Sequence, residues 1–274
     1  MPLSINTNVL SLTTQRNLNS NQSSLATSMQ RLSSGLRVNT SKDDAAGMAI
    51  ASRMETQVRG MNIAARNASD AVSLVQTAEG AIGKVGDMLQ RMRELSVQAA
   101  NATNSDGDRN NLNAEFQQLA KEVTRTIENT RFNGKAILST DAGVNYYQVG
   151  ADSADQVDVQ TAQLNNATDI TNVTGGFIST VNGATTAMTN IDEALVLVNT
   201  QRAMYGAVQN RFEAMIQVLQ VNSENTSAAK GRIMDADFAQ ETANLSRSQI
   251  LQQAASAMVA QANSLPQQVL QLLR

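Results

Sequence analysis

The sequence predicts a mainly α protein: an elongated antiparallel helical bundle or coiled coil, with a small β-hairpin region and a terminal two-helix coiled coil. Three observations lead there. Apolar residues recur at heptad spacing through most of the 274 residues, and a period of 3.5 is the signature of packed helices rather than strands. Both ends carry such a stripe. Five Phe, three Tyr, no Trp and two Pro make large rings and helix breakers scarce, so Ala, Leu, Val, Ile and Met must supply the apolar surface, as they do in long packed helices.

At the N-terminus Leu18, Leu25 and Leu32 recur every seven residues, with Met29 and Leu36 as companions. The stripe is narrow and serine-rich, and an isolated helix of this kind has little to offset its ordering entropy. It needs a partner. Ser33, Ser34 and Gly35 break it, and Thr40 or Ser41 is the candidate N-cap of the next helix, with Asp43 and Asp44 in the first turn where the helix dipole favours acids.

That helix is expected over residues 43–100. Val58, Met61, Ala65, Ala68, Val72 and Val75 step by threes and fours, the pattern skips at Ala78, and Ile82, Val85, Leu89 and Met92 resume it. At ~1.5 Å rise per residue it spans roughly 85 Å. Residues 101–108 are concentrated turn chemistry. Asp106, Gly107 and Asp108 lack the remaining spacing of a calcium loop, so a turn and N-cap is the better reading. Leu112, Phe116, Leu119, Val123 and Ile127 then mark a returning helix over 109–129.

Periodicity changes after Gly134. Residues 145–149 and 156–160 alternate as a β-hairpin, and residues 173–181 suggest an irregular strand around Gly175 and Gly176. From 187 to 233 the register is clearest, with Ile191, Val198, Tyr205, Phe212, Leu219, Thr226 and Ile233 seven apart. At the C-terminus Leu251, Met258, Leu265 and Leu272 repeat every seven, accompanied by Ala255, Ala262 and Val269. Pro266 is expected to kink or break this last helix, because it has no N–H to bond the preceding turn. The expected domains are 1–42 plus 235–274 as a terminal coiled coil, 43–140 plus 185–234 as a helical rod, and 141–184 as a short exposed segment containing the hairpin.

The absences exclude whole classes of function. Without His or Cys there is no Ser-His-Asp triad, no Cys-His pair, no ordinary zinc site and no imidazole titrating near neutrality. Carboxylate-only catalysis stays formally open, but charged stripes on long helices are usually solvated faces, so the expectation is no enzyme, no cofactor and no metal. A net charge of −3, without a Lys/Arg run, points away from nucleic acid and acidic membranes. Apolar stretches fall far short of the ~20 residues of a membrane span, and no secretory signal peptide is expected at the start.

Longer runs carry a resemblance. INTN at 5–8, RLSSGLRVN at 31–39, KDDAAG at 42–47, QRMRELSVQ at 90–98 with ANATNS at 100–105, and FNG at 132–134 resemble bacterial flagellin, as do SRSQILQQA at 246–254 and AQANSLPQQVL at 260–270. The likeness covers roughly residues 1–140 and 185–274. It implies a homopolymer, the extracellular flagellar filament used for swimming. Its core would be packed by Leu18, Leu25, Met29, Leu32, Leu251, Met258, Leu265 and Leu272. Terminal helices in this family are disordered in the free subunit and fold on assembly.

The resemblance further implies secretion through the flagellar type III apparatus without a cleaved signal, a cytoplasmic export chaperone at the C-terminal helices, and the flagellar cap and hook-associated proteins as partners. It also implies recognition by the flagellin-sensing Toll-like receptor of the host. Gln90, Arg91, Glu94, Leu95 and Gln98 match the bound segment, with Arg91 and Leu95 central and Glu115 from the neighbouring helix; the chain departs from the best-known agonists around Leu119 and Lys121. A hook-filament junction protein is the alternative within the same architecture, disfavoured by the nearly complete terminal motifs and the lack of inserted domains. A cytoplasmic coiled-coil scaffold explains the heptads but not the paired termini.

Overall fold

A computed structural model describes residues 7–272, with side chains described as far as residue 264. In chain order the described elements are α1 (Val9–Ser34), α2 (Ala45–Ala100), α3 (Asp106–Asn129), β1 (Arg131–Phe132), β2 (Lys135–Ala136), β3 (Val144–Gln148), β4 (Gln156–Gln160), α4 (Thr168–Thr174), α5 (Val181–Met234) and α6 (Phe238–Leu272). They sort into two units, one of residues up to 56 and from 225 onward, the other of residues 57–224.

In the first unit α1 lies along α6. Gly35 ends α1 in the left-handed conformation at φ 71°, which costs glycine nothing, and donates its N–H to the Arg31 carbonyl at 2.8 Å. Beyond it Leu36 pairs with Asp235, Arg37 N–H donates to the Met234 carbonyl at 2.6 Å and Ala236 N–H to the Gly35 carbonyl at 2.9 Å. The N-cap of α2 is neither Thr40 nor Ser41. Asp44 takes that place, accepting from the Gly47 N–H at 2.8 Å. The cap lies later than expected because Asp43 closes a tight turn instead, accepting from the Thr40 N–H at 2.9 Å, the Asn39 N–H at 3.1 Å and the Thr40 hydroxyl at 3.0 Å. Those bonds hold the Asp43 carboxyl below its ordinary pKa, Thr40 first.

In the second unit the seam of α2 is an unbroken heptad. Met61, Ala64, Ala68, Ala71, Val75, Ala78, Ile82, Val85, Leu89, Met92, Ser96 and Ala99 are all buried, stepping three and four without a skip. Ala78 belongs to it, and Ala65 and Val72, which the sequence suggested, are half-buried beside it. Alanine hides the register because it is the smallest residue that can fill a seam and is also a common helix surface residue. Opposite lie Ala184, Ala187, Ile191, Ala194, Val198, Tyr205, Phe212 and Leu219 of α5, and Phe116, Ala120, Val123 and Ile127 of α3.

Helix α3 starts at Asp106 rather than 109, because Ser105 and Asp108 form a reciprocal capping box: the Asp108 N–H donates to Ser105 Oγ at 3.2 Å and the Ser105 N–H to the Asp108 carboxylate at 3.0 Å. The hairpin is antiparallel, with Val144 opposite Gln160 and Gln148 opposite Gln156. Residues 141–184, expected as an exposed segment, contribute Val149, Val157, Val159, Leu164, Ile170, Val173 and Ile178 to the core. The irregular strand at 173–181 is a correction too. Ile170 and Val173, three apart, bury one face of α4, a spacing a strand does not place on one face. Helix α5 then begins at Val181, six residues before expectation, and α6 continues past Pro266 to Leu272.

Candidate interaction surfaces

The pairing of α1 with α6 mixes small and polar groups with leucines and a valine. The seam on α1 runs through the half-buried or buried Ser11, Thr14, Leu18, Asn21, Leu25, Ser28 and Leu32, flanked by half-buried Thr13, Thr27 and Arg31; on α6 it runs through Glu241, Leu245, Ser248, Gln252, Ala255, Val259 and Ala262, flanked by half-buried Asn244 and Ser264. Both series step by threes and fours, as a two-helix seam must. Leu18, Leu25 and Leu32 therefore face α6 of the same chain. Arg31 Nη1 meets Glu241 at 3.1 Å, with Glu241 nearly buried, while the buried Arg31 Nε has no hydrogen-bond partner among the described residues. Sequence reading passed over Ser11, Arg31, Glu241 and Ser248, because their polarity disguises seam positions; their spacing was the available signal.

Asn8 does two jobs. Its Oδ1 accepts from the Ser11 N–H at 3.1 Å and so caps α1, and its Nδ2 donates to the Ala262 carbonyl at 2.8 Å. Ala262 precedes Pro266 by four residues, so its carbonyl is the one that proline's missing N–H leaves without an intrahelical partner. Beside it the Ser11 hydroxyl lies 2.8 Å from Asn263 Oδ1. The side chain from α1 thus supplies the donor that α6 lacks. This removes the main penalty that suggested a break.

Other large apolar side chains of both helices turn elsewhere. Val9, Leu10, Leu12 and Met29 on α1, and Phe238, Ile250, Leu251 and Met258 on α6, are between 44% and 66% exposed. Of the residues assigned to filament packing, Met29, Leu251 and Met258 belong to this outward set, while Leu265 and Leu272 lie outside the described side chains. The seam pairs the helices within the chain, and these apolar side chains are left exposed. Among the described residues no helix is long and apolar enough to cross a membrane.

On the second unit Gln90, Arg91, Glu94 and Gln98 are exposed along one side of α2, and Glu115 of α3 joins them. Arg91 Nη1 bonds Glu94 at 2.9 Å, and its Nε and Nη2 bond Glu115 at 3.0 and 2.9 Å. Glu94 first and Glu115 next raise the Arg91 pKa above its ordinary value. Leu95 is different. It is 1% exposed and supports the helix from beneath, so its side chain offers no apolar contact at the surface. The exposed apolar residue of this patch is Val97, which with Gln90, Arg93, Glu94 and Gln98 lines a shallow depression. Arg93 is engaged with Asp192 of α5 at 2.6 Å, and that bond lowers the Asp192 pKa.

Comparison with known proteins adds to this geometry. The chain matches the family model of the bacterial flagellin N-terminal helical region over residues 5–142 and that of the C-terminal helical region over residues 188–273. It is 43% identical over 270 residues to a flagellin of Halalkalibacterium halodurans, covering 98% of this chain and 99% of the relative. With a flagellin of Bacillus subtilis it shares 38% identity over 302 residues, covering 98% and 99%. The crystal structure of Bacillus cereus flagellin superimposes with a TM-score of 0.51 at 30% identity, covering 60% of this chain and 94% of that one.

Proposed function

The chain belongs to the bacterial flagellin family, whose members are structural subunits of the flagellar filament, and from that premise we propose that the exposed apolar side chains of α1 and α6 make the contacts between subunits. The observation that carries this reading is the division of labour on α1 and α6. A seam in which half-buried leucines alternate with Ser, Thr, Asn, Gln and Ala gives the pair limited apolar burial, while Leu10, Leu12, Ile250, Leu251 and Met258 remain open. Fully burying each such side chain contributes about 1.5–3 kcal/mol, so contact with further copies offsets the ordering entropy that a lone pair of helices leaves uncovered. Head-to-tail contacts between unlike surfaces do not close on themselves and propagate as a helical filament.

Residues 1–42 with 235–274 then form the filament core, 43–140 with 185–234 the helical rod, and 141–184 the segment that presents Val144 and Tyr146 to solvent. The same weakness suits export through the flagellar type III apparatus as an unfolded chain without a cleaved signal, with a cytoplasmic chaperone covering the stripe from Leu251 to Leu272. The flagellar cap and hook-associated proteins would engage the same terminal helices. Recognition by the flagellin-sensing Toll-like receptor would use Gln90, Arg91, Glu94, Gln98 and Glu115, with Leu95 acting through the helix it supports. The hook-filament junction reading is not favoured, since flagellins align over nearly the whole of this chain.

Seeded polymerisation tests the proposal. Purified full-length protein should elongate short filament fragments, whereas a chain lacking residues 235–274 should not. Leu251→Asp together with Met258→Asp should abolish elongation while leaving the second unit folded by circular dichroism. Normal elongation by that double variant would overturn the assignment of these side chains to subunit contacts.

A further inference from the structure

The chain contains two Asn-Gly dipeptides, Asn133-Gly134 and Asn182-Gly183, and the fold treats them in opposite ways. We propose that Asn133 is a site of spontaneous deamidation and that Asn182 is protected from it. In this reaction the Gly134 backbone nitrogen attacks the Asn133 side-chain carbonyl carbon. A new C–N bond closes a five-membered succinimide, and the side-chain nitrogen leaves as ammonia. Water then opens the ring at either carbonyl, giving aspartate or isoaspartate, so the net change is amide plus water to carboxylate plus ammonium. No oxidant, enzyme or metal is required.

Three features favour the reaction at Asn133. It sits exposed in the two-residue turn between β1 and β2, with Asn133 at φ 48° and Gly134 at φ 82°, the pairing that a tight hairpin demands. Neither the Asn133 amide nor the Gly134 N–H makes a hydrogen bond among the described residues, so the nucleophile and the electrophile are both unengaged. A Cβ built on Gly134 meets nothing within 4 Å, which leaves the peptide room to rotate into line.

Asn182 is also exposed and its side-chain amide is equally unengaged, but the backbone around it differs. The dipeptide lies in the first turn of α5, where helical dihedrals hold the nitrogen away from the side-chain carbon. The Gly183 N–H is already spent on the Thr180 hydroxyl at 3.1 Å, and the Asn182 backbone carbonyl accepts from the Thr186 hydroxyl at 3.0 Å, which fixes the backbone on both sides of the dipeptide. Space is short as well, because a Cβ on Gly183 lies 2.7 Å from the Phe177 carbonyl oxygen. Two identical dipeptides are thus separated by fold alone. The products also differ in consequence: aspartate adds one negative charge to the turn, whereas isoaspartate inserts a methylene into the backbone just before buried Ala136, Ile137 and Leu138.

The test is peptide mapping by mass spectrometry of the full-length protein incubated in mildly alkaline buffer, with isoaspartate counted by methyltransferase labelling. Conversion at Asn133 should run at least about tenfold faster than at Asn182, the ratio expected when one nitrogen must first give up a hydrogen bond and helical geometry. In denaturant the two rates should converge. Asn133→Gln should remove most of the label, and Asn133→Asp supplies the product standard. Equal rates in the folded chain, faster conversion at Asn182, no conversion at Asn133, or a ratio that persists in denaturant would each overturn the proposal.

Discussion

Asn8 shows how one side chain offsets a defect carried by a residue far away in sequence. Replacing it with alanine removes both the cap of α1 and the donor to the Ala262 carbonyl, and should cost about 2 kcal/mol from the two losses together. Asn8→Asp keeps a capping oxygen but loses the donor, so about half the loss is expected. Hydrogen-exchange protection of α1 and α6 amides in the polymerised protein reads both variants. From sequence, INTN was legible as a motif and Pro266 as a violation. Their connection was not, since nothing local says that a side chain at position 8 reaches a carbonyl at position 262.

Leu95 and the alanines teach a related lesson about the limits of residue type. A leucine within a motif of exposed polar residues invites the reading that it is a contact, yet the heptad turns it inward to 1% exposure. Around it the surface is made by charged and amide groups with Val97 exposed among them, and Glu115 of a second helix holds Arg91 in place.

At the scale of the element, the long helices were legible because their seams repeat many times, and the errors fell where residue size and seam position disagree. Ala78 lies in the seam of α2 and Val72 beside it, so the larger residue misled the register. Ala78→Leu should therefore destabilise the second unit by about 1–3 kcal/mol through overpacking, whereas Val72→Ala, half-buried, should cost under about 1 kcal/mol. Urea denaturation of the two variants, compared at a common slope, decides between this register and one that skips Ala78. Helix starts were missed by a few residues for a different reason. Asp44 and Ser105 cap α2 and α3, and several Ser, Thr and Asp residues in each preceding stretch were equally eligible until backbone geometry chose one.

For the whole molecule, the lack of histidine leaves no side chain with an ordinary pKa between about 5 and 8 apart from perturbed groups. Stability should then be flat across that range. Asp43, Asp108 and Asp192 have pKa values held below ordinary by Thr40 and Asn39, by Ser105, and by Arg93. A lowered folded pKa gives stability that is present above the unfolded value of about 3.9 and lost as pH falls through the folded one. Tyr147 and Tyr205 are raised, first of all by burial, so their contribution holds below about pH 10 and fades as pH rises past it. Thermal melts from pH 2 to 11 should show a plateau with two falling limbs, and a transition near pH 6 would contradict this account.

The sequence by itself determined the mainly helical class, the order of the long helices, a hairpin across residues 145–160 and the family, because each rests on a repeated or extended pattern that survives single-residue ambiguity. Only the tertiary structure decided which face of each terminal helix is spent within the chain and which is left open. A heptad stripe states that a helix needs a partner, but Ser28 and Ser248 in the seam, and Leu251 and Met258 outside it, depend on a rotation that no periodicity fixes. That choice follows from hydrogen bonds and an ion pair reaching between the two ends of the chain, from Asn8 to Ala262 and from Arg31 to Glu241, and such contacts exist only once the chain has folded back on itself.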